Sequence, residues 1–181
     1  MSSDVDARCL ETFPNWLRSL GADAEAMVDA LERDATPDGA RRAIAGGLNY
    51  VFKSVDLIPD GIDDIGYLDD AFVLRIATRL ALGAGLSTEG AADLARLVEE
   101  DGLVREFLGA DYARLETYVR GLERGTARGR AVSEILDSAT VRQDFVADVR
   151  GFARSYAAPS FAREEKNLIK LRAFFDAKLP R

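Results

Sequence analysis

The sequence predicts an all-α protein, a compact bundle of roughly eight to ten helices around a buried central helical hairpin joined by an acidic turn. Apolar residues recur at three- and four-residue steps along most of the 181 residues. No stretch shows the alternation of apolar and polar residues that marks a half-buried strand. The shares of hydrophobic residues, 48%, and charged residues, 30%, are typical of a globular domain. We therefore expect a single domain over residues 1–181.

Two helices are expected before residue 34. The first has one apolar face and restarts at Thr12, which would cap a segment with Pro14 in its first turn. The second covers Asp23 to Arg33. Cys9 lies on the apolar face of the first helix, which favours a buried thiol over a reactive one. That face is formed by Val5, Cys9, Phe13, Trp16 and Leu20.

The central hairpin is expected to begin at Thr36-Pro37-Asp38. This tripeptide combines a hydroxyl cap, a proline for the first helical position and an acid for the first turn. The helix after it carries an apolar face as far as Val55, and its interior Gly46-Gly47 pair indicates close approach of another helix. We expect that helix to begin near Tyr67 and to end at Gly83-Ala84-Gly85. It is apolar on most sides, which predicts the most buried element.

Further helices are expected beyond residue 86. Ser87 and Thr140 are predicted caps, and Thr140 forms a capping box with Gln143. Gly109 is expected to interrupt the helical pattern. Residues 125–129, GTARG, predict a turn between packed helices or a minor subdivision of the domain. The stripe of the last helix contains Phe161, Leu168, Leu171, Phe175 and Leu179.

The acidic turn, residues 56–70, is the unusual feature of the chain. It contains six aspartates and no lysine or arginine, so the remaining 25 acidic residues nearly balance the 24 basic ones. Almost the whole net charge of -7 therefore resides in this turn. Pro59, Gly61 and Gly66 favour sharp changes of chain direction within it. The aspartates are Asp56, Asp60, Asp63, Asp64, Asp69 and Asp70.

Residues 55–70, VDLIPDGIDDIGYLDD, resemble the signature of the YkvA-type domain of unknown function. The resemblance covers roughly residues 44–80. It implies an all-α core and no particular activity. Many relatives carry hydrophobic, membrane-associated segments, and this chain departs from them. Its most apolar stretch, residues 71–86, contains Arg75 and Arg79 and is too short to span a bilayer.

Two interpretations of the aspartates are open. In the first, Asp60, Asp63 and Asp64 cap helices, while Asp69 and Asp70 stabilise the first turn of the next helix through its dipole. The protein is then a non-enzymatic helical interaction or scaffold protein with an unknown protein partner and no cofactor. We favour this interpretation, because caps and turns commonly explain such clusters.

In the second interpretation, the acidic turn binds Ca²⁺ or Mg²⁺, since hard cations prefer carboxylate and carbonyl oxygens from turn-rich segments. The spacing differs from that of an EF-hand loop. Catalysis at such a site would rest on Asp69, Asp70 and Lys53. The absence of histidine removes the commonest general base and zinc ligand, which argues against an enzyme. The predicted metal ligands are Asp56, Asp60, Asp64, Asp69 and Asp70.

Composition limits the partners of the protein. A pI near 4.8 disfavours nucleic acid, which requires clustered positive charge. A single cysteine and the lack of an apparent secretory signal indicate a reducing compartment, so we expect a cytoplasmic protein. The last 34 residues carry eight basic and four acidic side chains. We favour a docked last helix with a solvated charged face, with contact to a membrane surface or to an acidic partner as the alternative.

Overall fold

The computed structural model of the protein describes residues 3–54 and 56–181. Within these residues it contains eight α-helices, which confirms the all-α prediction. A turn of 3-10 helix and a two-stranded hairpin lie between α5 and α6. The helices are α1 Asp4–Glu32, α2 Asp38–Tyr50, α3 Leu68–Gly83, α4 Ala92–Leu108, α5 Asp111–Gly121, α6 Val132–Asp137, α7 Ala139–Ser155 and α8 Glu165–Lys178.

The N-terminal helix α1 is continuous, so the predicted restart at Thr12 and the predicted separate helix from Asp23 to Arg33 are both wrong. Pro14 lies in its interior, where the missing N–H and the ring clash cost about 3 kcal/mol. The apolar stripe continues in phase on both sides of Pro14, and each large side chain on it contributes about 1.5–3 kcal/mol when buried. Burial along the whole helix therefore outweighs one proline. The buried stripe contains Cys9, Phe13, Trp16, Leu17, Leu20, Ala24, Met27, Val28 and Leu31.

Helix α2 begins at Asp38, one residue after the predicted first position at Pro37, which is the N-cap residue instead of Thr36. The Thr36 hydroxyl instead donates to the carbonyl of Ala30 at 2.7 Å, which ties the loop to the end of α1. α2 ends at Tyr50, earlier than predicted. The predicted end of its apolar face, Val55, lies outside the described residues.

Helices α2 and α3 pack against each other and form the predicted central hairpin. Gly47 permits their close approach, because a Cβ at this position would lie 2.5 Å from the Cβ of Ala77. α3 also contacts α1, α4 and α5. Every residue from Leu68 to Thr78 is buried, so the prediction of a buried central helix is confirmed.

Two predicted caps are wrong, although the predicted break between α4 and α5 is confirmed. Ser87 does not cap α4, and its hydroxyl accepts from the N–H of Glu89 in the preceding turn at 3.3 Å. Ser138, and not Thr140, caps α7 by accepting from the N–H of Val141. Short polar side chains compete locally for backbone donors, which makes the choice between neighbouring candidates hard to predict.

The predicted turn at residues 125–129 is the tip of a small hairpin, in which β1 Thr126–Ala127 pairs antiparallel with β2 Arg130–Ala131. Arg128 and Gly129 form its two-residue turn, with φ angles of 49° and 75°. The strands were not predicted, because two residues are too few to show alternation. The side-chain amide of Asn49 donates to the Arg130 carbonyl at 3.3 Å and ties the hairpin to α2.

The last helix, α8, docks on the core as predicted. Leu168, Leu171 and Phe175 are buried, and the Phe175 ring stacks on that of Phe72 with 5.3 Å between ring centroids. In the part of the chain that the structure describes, no helix is long and apolar enough to cross a membrane.

Candidate metal centre

Three aspartates meet where the acidic turn enters α3. One carboxylate oxygen from each of Asp60, Asp69 and Asp70 lies within 4.8 Å of the others. The exposed fraction is 0% for Asp69 and 2% for Asp70, whereas Asp60 is exposed. Asp56 lies close enough for its charge to interact with those of Asp60 and Asp69. We call these four residues the aspartate cluster.

Local backbone geometry brings the aspartate cluster together. Asp69 and Asp70 occupy the first turn of α3, as predicted. The backbone of Gly66 passes so close to Asp60 that a Cβ on Gly66 would lie 2.1 Å from the Asp60 carbonyl oxygen. The buried side chain of Ile65 holds the chain on the core directly before this contact. The turn therefore folds Asp60 back over the start of α3.

The carboxylate of Asp69 is held from two directions. Its Oδ2 accepts a hydrogen bond of 2.5 Å from the Tyr50 hydroxyl and one of 3.2 Å from the N–H of Ile58. The Tyr50 hydroxyl in turn accepts from the N–H of Leu57 at 2.8 Å. These bonds fix one oxygen of Asp69 and leave its other oxygen free to bind a ligand.

Three oxygens of the aspartate cluster are buried and lack a hydrogen-bond donor among the described residues: Asp56 Oδ1, Asp69 Oδ1 and Asp70 Oδ2. An unsatisfied buried carboxylate oxygen is costly, because it has exchanged water for no partner. Within residues 3–54 and 56–181, no arginine or lysine forms an ion pair with any member of the cluster. No ion pair among these residues therefore compensates the negative charge of the cluster.

Buried aspartates elsewhere in the protein are compensated. Asp23, in α1, pairs with Arg75 and Arg96. Asp101, in α4, pairs with the Arg79 guanidinium at 2.9 Å and accepts from a tyrosine hydroxyl. The other buried carboxylates thus form direct ion pairs with arginines, whereas the described residues form none with the aspartate cluster.

Burial raises the pKa of each carboxyl group in the cluster, and repulsion between the carboxylates adds to this effect for Asp56, Asp69 and Asp70. Burial, followed by the charges of Asp69 and Asp60, raises the pKa of Asp56 to about 7. Burial raises the pKa of Asp69 to about 6, and burial together with the Asp69 charge raises that of Asp70 well above its usual value. Burial also raises the pKa of Asp60. A bound cation would remove the repulsion that protons otherwise relieve.

Two predicted roles are corrected by the structure. Asp64 does not join the cluster, because its Oδ1 accepts from the N–H of Ala162 at 2.7 Å and so anchors the chain before α8. Asp60, Asp63 and Asp64 do not cap α3, whose N-cap residue is Tyr67 with no side-chain cap. Tyr67 has a left-handed φ of 66°, which a sequence pattern does not reveal.

Lys53 and Tyr118 border the cluster. The Lys53 ammonium lies 3.4 Å from the Tyr118 hydroxyl, and its charge partly offsets the raised pKa of Asp56. Burial and the charges of Asp69 and Asp56 raise the pKa of Tyr118 to about 12, so this phenol stays protonated. Sequence reasoning did not find Tyr50 and Tyr118, because contacts between distant helices leave no local signal.

Residues 40–76 match the model of a family described as a protein of unknown function, DUF1232. The match confirms the resemblance to a domain of unknown function. It covers most of α2, the acidic turn and the first half of α3, and so includes the whole aspartate cluster. Searches of the curated proteins and of the solved structures found no significant match.

Proposed function

We propose that the protein binds a hard divalent cation, Ca²⁺ or Mg²⁺, through Asp60, Asp69 and Asp70, with Asp56 beside the ion. One observation carries the proposal. One oxygen of Asp69 and one of Asp70 are buried and accept no hydrogen bond from the described residues. One carboxylate oxygen from each of these two residues also lies within 4.8 Å of the other and of an oxygen of Asp60. Closely spaced, buried carboxylate oxygens without hydrogen-bond donors favour binding of a cation.

The ligand chemistry supports a hard cation. All the available ligand atoms are carboxylate oxygens, which suit Ca²⁺ and Mg²⁺. Oxygens on opposite sides of a Ca²⁺ ion, each at about 2.4 Å, are about 4.8 Å apart. Because Asp60 is exposed, the ion has a route from solvent, and water would fill its remaining positions.

The proposal concerns binding of a cation and assigns no catalytic role. It replaces the capping interpretation, on which the favoured prediction of a non-enzymatic interaction or scaffold protein was based. A bound ion would join the acidic turn to the first turn of α3. The protein-partner and membrane-surface roles stay predictions, as does the cytoplasmic location.

The test is thermal unfolding in chelator, followed by titration with Ca²⁺, Mg²⁺ or Mn²⁺. A ligand that binds only the folded state stabilises it by about 2.7 kcal/mol at one hundred times its Kd. We expect a saturable rise in Tm for the wild-type protein and for Asp63→Asn, since Asp63 is exposed and outside the cluster. Asp70→Asn should abolish the rise. No saturable rise in the wild-type protein with any of these ions would contradict the proposal.

A further inference from the structure

A cavity of about 420 Å³ lies between the chain that follows α2 and the β1–β2 hairpin. Two of its lining residues carry a positive charge, two carry a hydroxyl group, and none carries a carboxylate. The charged groups of the cavity are thus all basic, although the protein as a whole is acidic. Its lining is formed by Phe52, Lys53, Ser54, Thr126, Ala127 and Arg128.

The two cations of this cavity are positioned by aromatic rings and not by carboxylates. The Arg128 guanidinium lies over the Phe52 ring, 4.8 Å from its centroid, and the Lys53 ammonium lies 5.5 Å from the centroid of Tyr118. Neither cation has an ion-pair partner within 4.0 Å in the described parts of the chain. Neighbouring Arg130, by contrast, pairs with Asp148 at 2.7 Å.

Contact with a ring face leaves the hydrogen-bond donors of a cation available. A guanidinium stacked on an aromatic ring keeps the N–H groups at its edge, which matches the bidentate geometry of a phosphate group. Ser54 and Thr126 are exposed at the same cavity, and their hydroxyl groups are further donors. Four donor-bearing side chains therefore converge on one space.

The backbone at Arg128 supports a role for its side chain. Its φ of 49° is a left-handed conformation that favours glycine, asparagine or aspartate in a two-residue hairpin turn. Residues held in such conformations cluster at ligand sites. An arginine at this position places a positive charge at the hairpin tip, facing the segment that carries Lys53.

We infer that this cavity binds the phosphate group of an anionic ligand. Lys53 and Arg128 neutralise its charge, and the hydroxyl groups of Ser54 and Thr126 donate to its oxygens. The volume exceeds that of a phosphate ion and leaves room for the organic part of a small phosphate monoester beside Phe52. The site shares no ligand residue with the proposed cation site, although Lys53 borders both.

The test is isothermal titration calorimetry of the full chain with inorganic phosphate and with glycerol 3-phosphate, in chelator and at constant ionic strength. Chelator removes any contribution of a bound cation. We expect saturable binding that Lys53→Gln and Arg128→Gln each weaken about tenfold or more, since each removes a charge-assisted hydrogen bond. Arg42→Gln is the matched control, because Arg42 is exposed on α2 outside the cavity.

Arg128→Gly distinguishes an effect on phosphate binding from an effect on stability. Glycine suits the left-handed backbone, so this variant should melt at a higher temperature than the wild-type protein while binding phosphate more weakly. Absence of saturable binding of both probes to the wild-type protein would overturn the inference. Equal affinities of Lys53→Gln, Arg128→Gln and Arg42→Gln would overturn it as well.

Vesicles identify the source of the phosphate group. Co-sedimentation with phosphatidylcholine vesicles that contain phosphatidic acid, lost in Arg128→Gln, would support the site and assign the group to a lipid. Calorimetric binding of glycerol 3-phosphate without co-sedimentation would support the site and assign the group to a soluble monoester.

Discussion

The Tyr50 hydroxyl donates a hydrogen bond of 2.5 Å to the Asp69 carboxylate and accepts one of 2.8 Å from the N–H of Leu57. One phenol thus links the end of α2, the acidic turn and the start of α3. All three residues are buried, so water does not replace the hydroxyl once it is removed.

Tyr50→Phe should therefore lower the free energy of unfolding by about 3 kcal/mol, since it leaves a buried carboxylate and a buried N–H with fewer partners. Denaturant unfolding in chelator measures the loss. Tyr118→Phe is the control. Its hydroxyl contacts Lys53 at 3.4 Å, which is a long hydrogen bond. Tyr118→Phe should therefore lower the free energy of unfolding by less than about 1 kcal/mol. Equal losses in the two variants would contradict the role of Tyr50.

Asp70→Asn should stabilise the chelated protein at pH 7.5, because asparagine keeps the shape of the side chain and removes a buried, unpaired charge. We expect a higher Tm than that of the wild-type protein in chelator, together with loss of any response to added cation. Asp63→Asn should leave both quantities unchanged. Destabilisation by Asp70→Asn in chelator would show that the charge is compensated.

The stabilisation by Asp70→Asn should grow as the pH rises. The pKa of Asp70 is raised on folding, so the folded state binds more protons than the unfolded state above about pH 4. Stability contributed by protonated Asp70 is present below the unfolded pKa and is lost as the pH rises toward the folded pKa. The gap in unfolding free energy between variant and wild type should increase by up to about 1.4 kcal/mol per pH unit. Denaturant unfolding in chelator at pH 5, 6.5 and 8 measures this gap. A gap that stays constant with pH would refute the raised pKa of Asp70.

Gly47→Ala should destabilise the protein by about 1–3 kcal/mol, because the new Cβ would lie 2.5 Å from the Cβ of Ala77 and force α2 and α3 apart. The overlap outweighs the gain of about 1 kcal/mol that alanine brings to a helix. Gly102→Ala, in α4, is the control, since no atom outside the adjacent backbone of α4 lies within 4 Å of a Cβ there. Thermal unfolding should show opposite shifts in Tm for the two variants.

The sequence predicted those features that depend on local pattern. The apolar sides of α3 and Gly47 of α2 were sufficient to predict the central hairpin, because burial and close packing act directly on residue type. Gly46 was expected to face α3 as well, but it faces residues 122–123 instead. The position of Asp69 and Asp70 in the first turn of α3 followed from the turn signals before them. The predicted break in α1 was wrong, because the strength of a proline signal was judged without the burial that opposes it.

The features that sequence could not predict depend on distant partners. The pairing of Arg75 with Asp23 joins residues of α3 and α1, and nothing near either residue indicates it. The same is true of Tyr50 and of the bond from Ala162 to Asp64. The aspartates look alike in sequence, and only the tertiary fold separates Asp64, which is bonded, from Asp69 and Asp70, which retain free oxygens.

The bond from the Ala162 N–H to Asp64 makes the chain before α8 a reporter of the acidic turn. An amide that donates to a carboxylate exchanges its hydrogen with solvent only when that bond opens. Whatever orders the turn should therefore slow deuterium uptake at Ala162, far along the chain from residue 64. Mass spectrometry of a peptide that contains Ala162 would then follow the turn without a label on any aspartate.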